Sequence, residues 1–427
     1  MGIIITRFKA LASYLPDVVY LSICLLLYYS ILFPWRGITR FDMSIFCTVD
    51  TPILITVLLI IFSLSLYISI TLYDNVSIIS SVTKITCLYI IVIIIHSFIP
   101  QIFKPEEIHY RLLTGIHLSF GPMLALLTIW SSYRAICKYQ YMNILILLYI
   151  ILQLYILSLM HSHPNEQANF FYQGIKRLSY IYFSPNHLGN VLSFSAITLY
   201  TYIIYNNLNK RLVLIVPYAI LIHWLIMTFS RGAWLSFFVG IILTNVFLRP
   251  YKCLWRHLLV NCLTVIIVLV TLLTVPPHAV INRAKIKVSN DLSVKNRISV
   301  IYSSIKIIID YPLYGVGLAG FNKAMESKYI DSYLLHENYS SAINNYMTLA
   351  VEAGIPISLL YIVTIIYLLR YSIKESIGYN HNQGVGIACA VIATLIFGLT
   401  TFTLNRVYAN MLCWVSIGNL IAMRIRP

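Results

Sequence analysis

Apolar runs of about 20 residues, the length needed to cross a bilayer, recur along this chain. Twelve such runs stand at about 18–35, 52–73, 82–103, 112–132, 143–160, 187–205, 212–229, 232–248, 257–275, 345–369, 384–402 and 405–423. Very tight turns separate 212–229 from 232–248 and 384–402 from 405–423. Between the ninth and tenth runs lies the one long polar interval, Val275 to about Asn345. Within it Ile298, Ile301, Tyr302, Ile305, Ile308 and Ile309 recur at helical spacing, with Arg297, Ser303, Ser304 and Lys306 largely off that stripe. The pattern predicts an amphipathic helix that stops near Asp310, because Pro312 disfavours helical geometry in the residue before it. Its apolar face either lies on the bilayer surface or packs against the bundle, and both placements hold Arg297 at the membrane boundary. Gly315, Gly317 and Gly320 then allow tight backbone. The expected fold is an all-α polytopic membrane protein of about 12 transmembrane helices with one large loop. It divides into 1–275 (helices one to nine), 276–344 (the loop) and 345–427 (the last three helices).

Composition supports this division. The 427 residues are 59% hydrophobic and only 10% charged, against about 25% charged residues in soluble domains. The formal charge of +16 could point to nucleic acid, but the basic residues sit mostly in short loops between apolar runs, as topology selection produces. With the N-terminus inside, the inside segments hold fourteen Lys and Arg, the short outside loops eight and the large loop the other eight. The inside acids are few, chiefly Asp74 and Glu375. Both termini are therefore expected inside, with the large loop, Arg231 and the 161–186 segment outside. The eight cysteines are scattered without a CxxC or Cys/His cluster, which indicates neither a disulfide framework nor a zinc site. No small-residue cleavage site follows the first apolar run, so a retained first helix is expected rather than a removed signal. Two halves with matching interrupted helices, the mark of inverted-repeat transporters, are not seen.

Three residues stand out chemically. Arg231, in Ser230-Arg-Gly-Ala-Trp-Leu235, begins an apolar run. An arginine near hydrocarbon costs about 2.5–3.5 kcal/mol at a helix centre, so it tends to face a cavity or a partner; snorkelling at a helix end is the bland alternative. Arg297 stands at the expected start of the amphipathic helix, where helix N-terminal donors would add to its charge. Two guanidinium groups meeting in one pocket would grip a pyrophosphate through paired hydrogen bonds that lysine does not reproduce. His336, late in the loop, has the chemistry to take a proton from a sugar hydroxyl, or it is a surface histidine. His161, His163 and His187 are further outside-facing candidates. No HExxH, nucleophile elbow, Walker motif or DxD-like diacid occurs, which argues against a metal-dependent nucleotide-sugar enzyme or a glycosidase.

Several stretches taken together resemble the O-antigen ligase/polymerase family of bacterial membrane glycosyltransferases. They are Ser184-Pro-Asn-His-Leu-Gly189, Ser230-Arg-Gly-Ala-Trp-Leu235, Arg297-Ile-Ser-Val-Ile-Tyr302, Asp310-Tyr-Pro-Leu-Tyr-Gly-Val-Gly-Leu-Ala-Gly-Phe321 and Asn344-Asn-Tyr-Met-Thr-Leu-Ala-Val-Glu-Ala-Gly354. The likeness covers roughly residues 184–370. It implies a fold of the lipid-linked sugar transferase type (glycosyltransferase type C-like) in the bacterial inner membrane, with its active face periplasmic. It also implies an undecaprenyl-pyrophosphate-linked glycan donor, an acceptor that is another lipid-linked glycan or lipid A–core, and no metal or cofactor. Arg231 and Arg297 match the family's pyrophosphate-holding arginines in context. The ligase histidine does not carry over, because Ile343-Asn344 stands where His-Asn is expected. His336, seven positions earlier, is the substitute that the resemblance leaves, and Lys176, Arg177, Asn186, His187, Tyr339 and Asn344 are expected to line the substrate site. The missing histidine tilts the reading toward a polymerase, working with membrane lipids and a possible chain-length regulator. A ligase and, from another class, a lipid-linked sugar flippase are the alternatives.

Overall fold

A computed structural model of the chain describes residues 16–25, 27, 77–99, 108–134, 141–162, 170–172, 175–178, 184–205, 208–247, 254–274, 292–329, 342, 344–378, 382–401 and 407–425. The expected span 52–73, half of 18–35, and the loop positions 276–291 and 330–341 lie outside the described residues. The described helices are α1 (Pro16–Leu25), α2 (Ser77–His96), α3 (Ile108–Arg134), α4 (Tyr141–Ser162), α5 (Pro185–Tyr205), α6 (Leu208–Met227) and α7 (Arg231–Phe247). They continue with α8 (Leu254–Thr274), α9 (Leu292–Asp310), α10 (Phe321–Ala324, running into a π-turn Met325–Tyr329), α11 (Asn345–Ala353), α12 (Ile355–Gly378), α13 (Asn382–Phe397) and α14 (Val407–Ile425). The all-α expectation holds apart from one short antiparallel ribbon, β1 (Phe170–Tyr172) with β2 (Ile175–Arg177), inside the 161–186 segment. Its three-residue strands are too short to leave an alternating signal in the sequence.

At the centre α5, α7 and α13 pack against one another. Small residues let them approach: a Cβ on Gly240 would lie 2.2 Å from Ile197 Cδ1, and one on Gly386 would lie 2.3 Å from Thr201 Oγ1. Close contact of this kind drives helix association where both surroundings are apolar. α5 is buried along almost its whole length despite its serines and threonines. It tolerates them because Ser195, Thr198 and Thr201 donate to carbonyls one turn back in their own helix. Ser193 also donates to Ser236, and Ser236 to the Ala393 carbonyl at 2.8 Å, which stitches the three helices together. α5 and α7 run antiparallel to α13, so the N-termini of the first two meet the C-terminus of the third. At the far end of α5, Tyr200 Oη lies 2.7 Å from Asn261 Oδ1 and 3.0 Å from Asn245 Oδ1.

The outer surface is apolar as well. Leu235, Phe238, Ile242 and Val246 on α7, with Ile266, Val270 and Leu273 on α8, are exposed at one-turn intervals. Among the described residues two helices, Pro185–Tyr205 and Trp255–Leu273, are long and apolar enough to cross a membrane, and further apolar helices are shorter.

Two expectations need correction. The single run 345–369 is two helices, broken where Gly354 takes φ +85°. A Cβ there would sit 2.1 Å from the Leu313 carbonyl, so only glycine admits the close passage of the 310–320 loop. Helix α9 starts at Leu292, five residues before Arg297, and the N-terminal donors of its own helix are therefore one turn behind that side chain. Of the two placements open to the apolar stripe of α9, the outward one is found. Val300, Ser303, Ser304 and Ile307 form the buried face, whereas Ile298, Ile301, Tyr302, Ile305 and Ile309 are exposed, Ile309 at 71%. Ser304 can be buried because it donates to the Val300 carbonyl, and Ser303 donates to that of Tyr329. Satisfied hydroxyls thus replace apolar residues on the packed face, leaving the isoleucines unpartnered by protein.

The loop segment has its own small core of Val300, Ile307, Val316, Phe321, Ala324, Met325, Tyr329 and Ala342, closed by Val351 of α11. Backbone bonds from Val316 to Val351, Gly317 to Glu352 and Ile355 to Pro312 clip it onto the α11–α12 junction.

Candidate active site at the helix ends

The α6–α7 turn is built to present Arg231. Thr228 donates to the Leu225 carbonyl at 2.7 Å, and its hydroxyl oxygen accepts from the Ser230 amide. Phe229 is buried at φ +47°, a left-handed conformation that a bulky residue adopts only under constraint. The Trp234 indole donates back to Leu225, and Ser230 accepts from the Ala233 amide as an N-cap. Arg231 therefore occupies the first position of α7, exposed, where the helix N-terminus adds partial positive charge to the guanidinium.

The second half of the site is the turn that ends α13. The last carbonyls of a helix have no partner within it, and here three successive ones are met from outside. Gly398 O accepts from the Asn345 amide at 2.9 Å, Leu399 O from Asn344 Nδ2 at 3.1 Å, and Thr400 O from Arg297 Nη1 at 2.8 Å. A cation against the negative end of a helix is favourable. Gly232 faces the same turn, and a Cβ on it would lie 2.5 Å from Thr400 Oγ1. Arg297 and the residue next to Arg231 thus bear on one threonine.

The other expected residues gather at this end to differing degrees. The Leu178 amide donates to the Met227 carbonyl, which seats the strand carrying Lys176 and Arg177 beside the α6–α7 turn. Asn186 and His187 are in the first turn of α5, half-buried and buried respectively. That turn is pressed on the Arg231 segment, since a Cβ on Gly189 would meet Ala233 at 2.7 Å and Thr228 at 3.3 Å. Asn344 is engaged structurally: its Oδ1 accepts from the Tyr346 and Met347 amides, capping α11, while Nδ2 ties down Leu399. His336 and Tyr339 lie outside the described residues. The Gly398–Thr400 turn was not among the sequence candidates; Gly398 inside an apolar run was its one visible mark.

Two charges of the loop segment are paired with each other. Lys328 Nζ is 2.9 Å from Asp310 Oδ2, and Tyr329 Oη donates to the same oxygen. Hydrogen bonds from Tyr329 and Lys328 hold the Asp310 carboxyl below its usual range, and the bond to Asp310 raises Lys328. Among the described residues no group of three or more His, Cys, Asp or Glu is placed to hold a metal ion. What the helix ends present is therefore cationic side chains and helix N-termini, suited to gripping an anion and to stabilising negative charge as it develops.

Residues 216–362 match the family model described as O-antigen ligase. That span includes both arginines, the loop segment and the α11–α12 junction, and it supports the O-antigen ligase/polymerase family for this chain. No curated protein matches the chain.

Proposed function

Proceeding from that family, we propose that this chain is an O-antigen polymerase of the bacterial inner membrane. It transfers an undecaprenyl-pyrophosphate-linked glycan to another lipid-linked repeat unit at the periplasmic face. The observation that carries the reading is that Arg297 and Gly232, the residue after Arg231, both bear on Thr400. Arg231 and Arg297 hold the donor diphosphate, with Lys176, Arg177, Asn186 and His187 toward the sugar. The glycan C1–O bond to the diphosphate breaks, its electron pair stays on the diphosphate oxygen, and the acceptor hydroxyl oxygen bonds C1. The hydroxyl proton passes to a base, the role given to His336. Both guanidinium groups act on the leaving group, where stabilising developing charge has the largest effect on rate.

The apolar outer faces and the outward stripe of α9 support a multi-pass chain of about 12 spans, with α9 lying at the bilayer surface. All the segments gathered at the site are those that the charge bias assigns to the outside. The ligase reading is favoured by the description of the matched family, the polymerase reading by Ile343 at the histidine position. A deletion strain separates them. Single repeat units capping the lipid A–core mark a lost polymerase; chains accumulating on the undecaprenyl carrier mark a lost ligase. Arg231→Ala tests both against a flippase, because an enzyme variant still delivers single units to the periplasm and a flippase variant strands them in the cytoplasm.

A further inference from the structure

A second cationic place stands at the same end of the bundle, on the α2–α3 hairpin. His96, the last residue of α2, sets Nε2 2.9 Å from the Tyr314 carbonyl of the docked loop. A carbonyl only accepts, so Nε2 carries the proton, and the buried Nδ1 has no hydrogen-bond partner. On the first turn of α3, Arg111 is 8% exposed, and its Nε and Nη1 are likewise buried without partners. Gly115, one turn further along α3, is packed so closely on α2 that a Cβ would fall 1.8 Å from Ser97 Oγ. Residues four apart share a helix face, and side chains lean toward the N-terminus. The Arg111 guanidinium is thereby directed past Ser97, toward the end of α2 where the loop sits.

A buried guanidinium with unmet donors is costly to the fold. Among the described residues nothing meets the Arg111 donors, which leaves them to an anion from elsewhere. Its distance from the arginine pair is set by α11. One end of that helix, Asn345, is bonded to Gly398 in the turn that holds Arg297. The other end, at Val351 and Glu352, carries the loop that reaches His96. Nine residues span about 13 Å at 1.5 Å per residue. In glycan polymerisation the acceptor hydroxyl is separated from its own carrier by the sugars of a repeat unit. The second carrier must therefore be held to one side of the first.

We propose that Arg111, on the first turn of α3 next to the docked loop that His96 anchors, forms a second phosphate-binding site that takes the diphosphate of the acceptor's isoprenoid carrier. This rests on the polymerase reading, in which two lipid diphosphates are bound at once.

The test is the binding stoichiometry of radiolabelled undecaprenyl diphosphate on the purified full chain in neutral detergent, alongside thermal melting of the ligand-free protein. Wild type is expected to bind two molecules per chain, Arg111→Met one, Arg297→Ala one, and the double variant none. Arg111→Met is also expected to melt no lower than wild type, because an unmet buried charge has been removed. Arg111→Lys should keep the fold and weaken the second molecule at least tenfold. A wild type that binds one molecule, or an Arg111→Met variant that binds two, overturns the proposal. So does an Arg111→Met chain that melts lower or fails to fold, which makes Arg111 a structural strut. Displacement of the Arg111-dependent molecule by an equal mole fraction of phosphatidylglycerol assigns the pocket to bulk lipid headgroups and overturns the acceptor role. If Arg297→Ala leaves two molecules bound while Arg111→Met leaves one, the donor reading fails and the second phosphate site stands.

Discussion

Arg297 Nη1 donates to the carbonyl of Thr400 at 2.8 Å, across 103 positions of sequence. The bond does two things: it closes the end of α13, and it fixes one edge of the Arg297 guanidinium fork at the turn that Gly232 also faces. A hydrogen bond from a charged group is worth about 1.5–3 kcal/mol, and partial exposure places this one toward the low end. Arg297→Lys retains the charge against the helix end and loses the planar fork. Its melting temperature in detergent should fall by only a few degrees, while polymer formation in a reconstituted assay falls by about a hundredfold or more. Parallel loss of stability and activity would reduce Arg297 to a helix cap.

Gly232 offers a subtler handle on the same turn. Gly232→Ala drives a Cβ to 2.5 Å from Thr400 Oγ1, and overpacking of this kind costs about 1–3 kcal/mol. Thr400→Ala removes the offending oxygen. The double variant should regain most of the stability and activity lost by Gly232→Ala alone, as read from melting curves and chain-length profiles. Failure of the second substitution to rescue would mean that Gly232 does not govern the position of the turn.

Much of this architecture is legible in the sequence because membrane spans declare themselves by length and polarity. The α6–α7 break was visible in Ser230-Arg-Gly232, and the end of α9 in Asp310-Tyr-Pro312. The face of α9 was not legible, because Ser303 and Ser304 read as polar until their bonds to Tyr329 and Val300 are seen. Hydrophobic periodicity locates the apolar side of a helix, and in this setting the apolar side need not face protein. The Gly354 break was hidden for a related reason: a glycine in an apolar run shows its purpose only when the Leu313 backbone is found against it. The site arginines were legible as residue types in motif context, whereas the carbonyls of Gly398, Leu399 and Thr400 are backbone groups that only the glycine hinted at.

The Asp310–Lys328–Tyr329 cluster predicts a pH response of the loop. The folded Asp310 carboxyl lies below its ordinary value of 3.8, held there by hydrogen bonds from Tyr329 and Lys328. Its contribution is complete above that ordinary value and is lost as pH falls through the folded one. Lys328 is raised from 10.5, chiefly by its hydrogen bond to Asp310, so its contribution is complete below 10.5 and disappears only above the raised value. Amide protection in the last turn of α9, measured as exchange relative to the intrinsic rate at each pH, should therefore be flat through neutral pH and fall below about pH 4, and Asp310→Asn should abolish the acid-side change. An unaltered acid response in Asp310→Asn would place the titrating group elsewhere.

The exposed isoleucines of α9 predict its bilayer contact. A nitroxide at Ile309→Cys should be relaxed by lipid-soluble oxygen in reconstituted vesicles and little affected by a water-soluble nickel chelate; a label at Glu326→Cys, also exposed, should behave in the opposite way. Equal water accessibility at both positions would remove α9 from the membrane surface.

The most direct measurement is a cryo-electron microscopy structure of the full chain with undecaprenyl diphosphate bound. The account predicts diphosphate oxygens at about 2.7–2.9 Å from guanidinium nitrogens of both Arg231 and Arg297, next to the Gly398–Thr400 turn. A diphosphate bound without either arginine, or lodged at the opposite end of α5 near Tyr200 and Asn245, would contradict it.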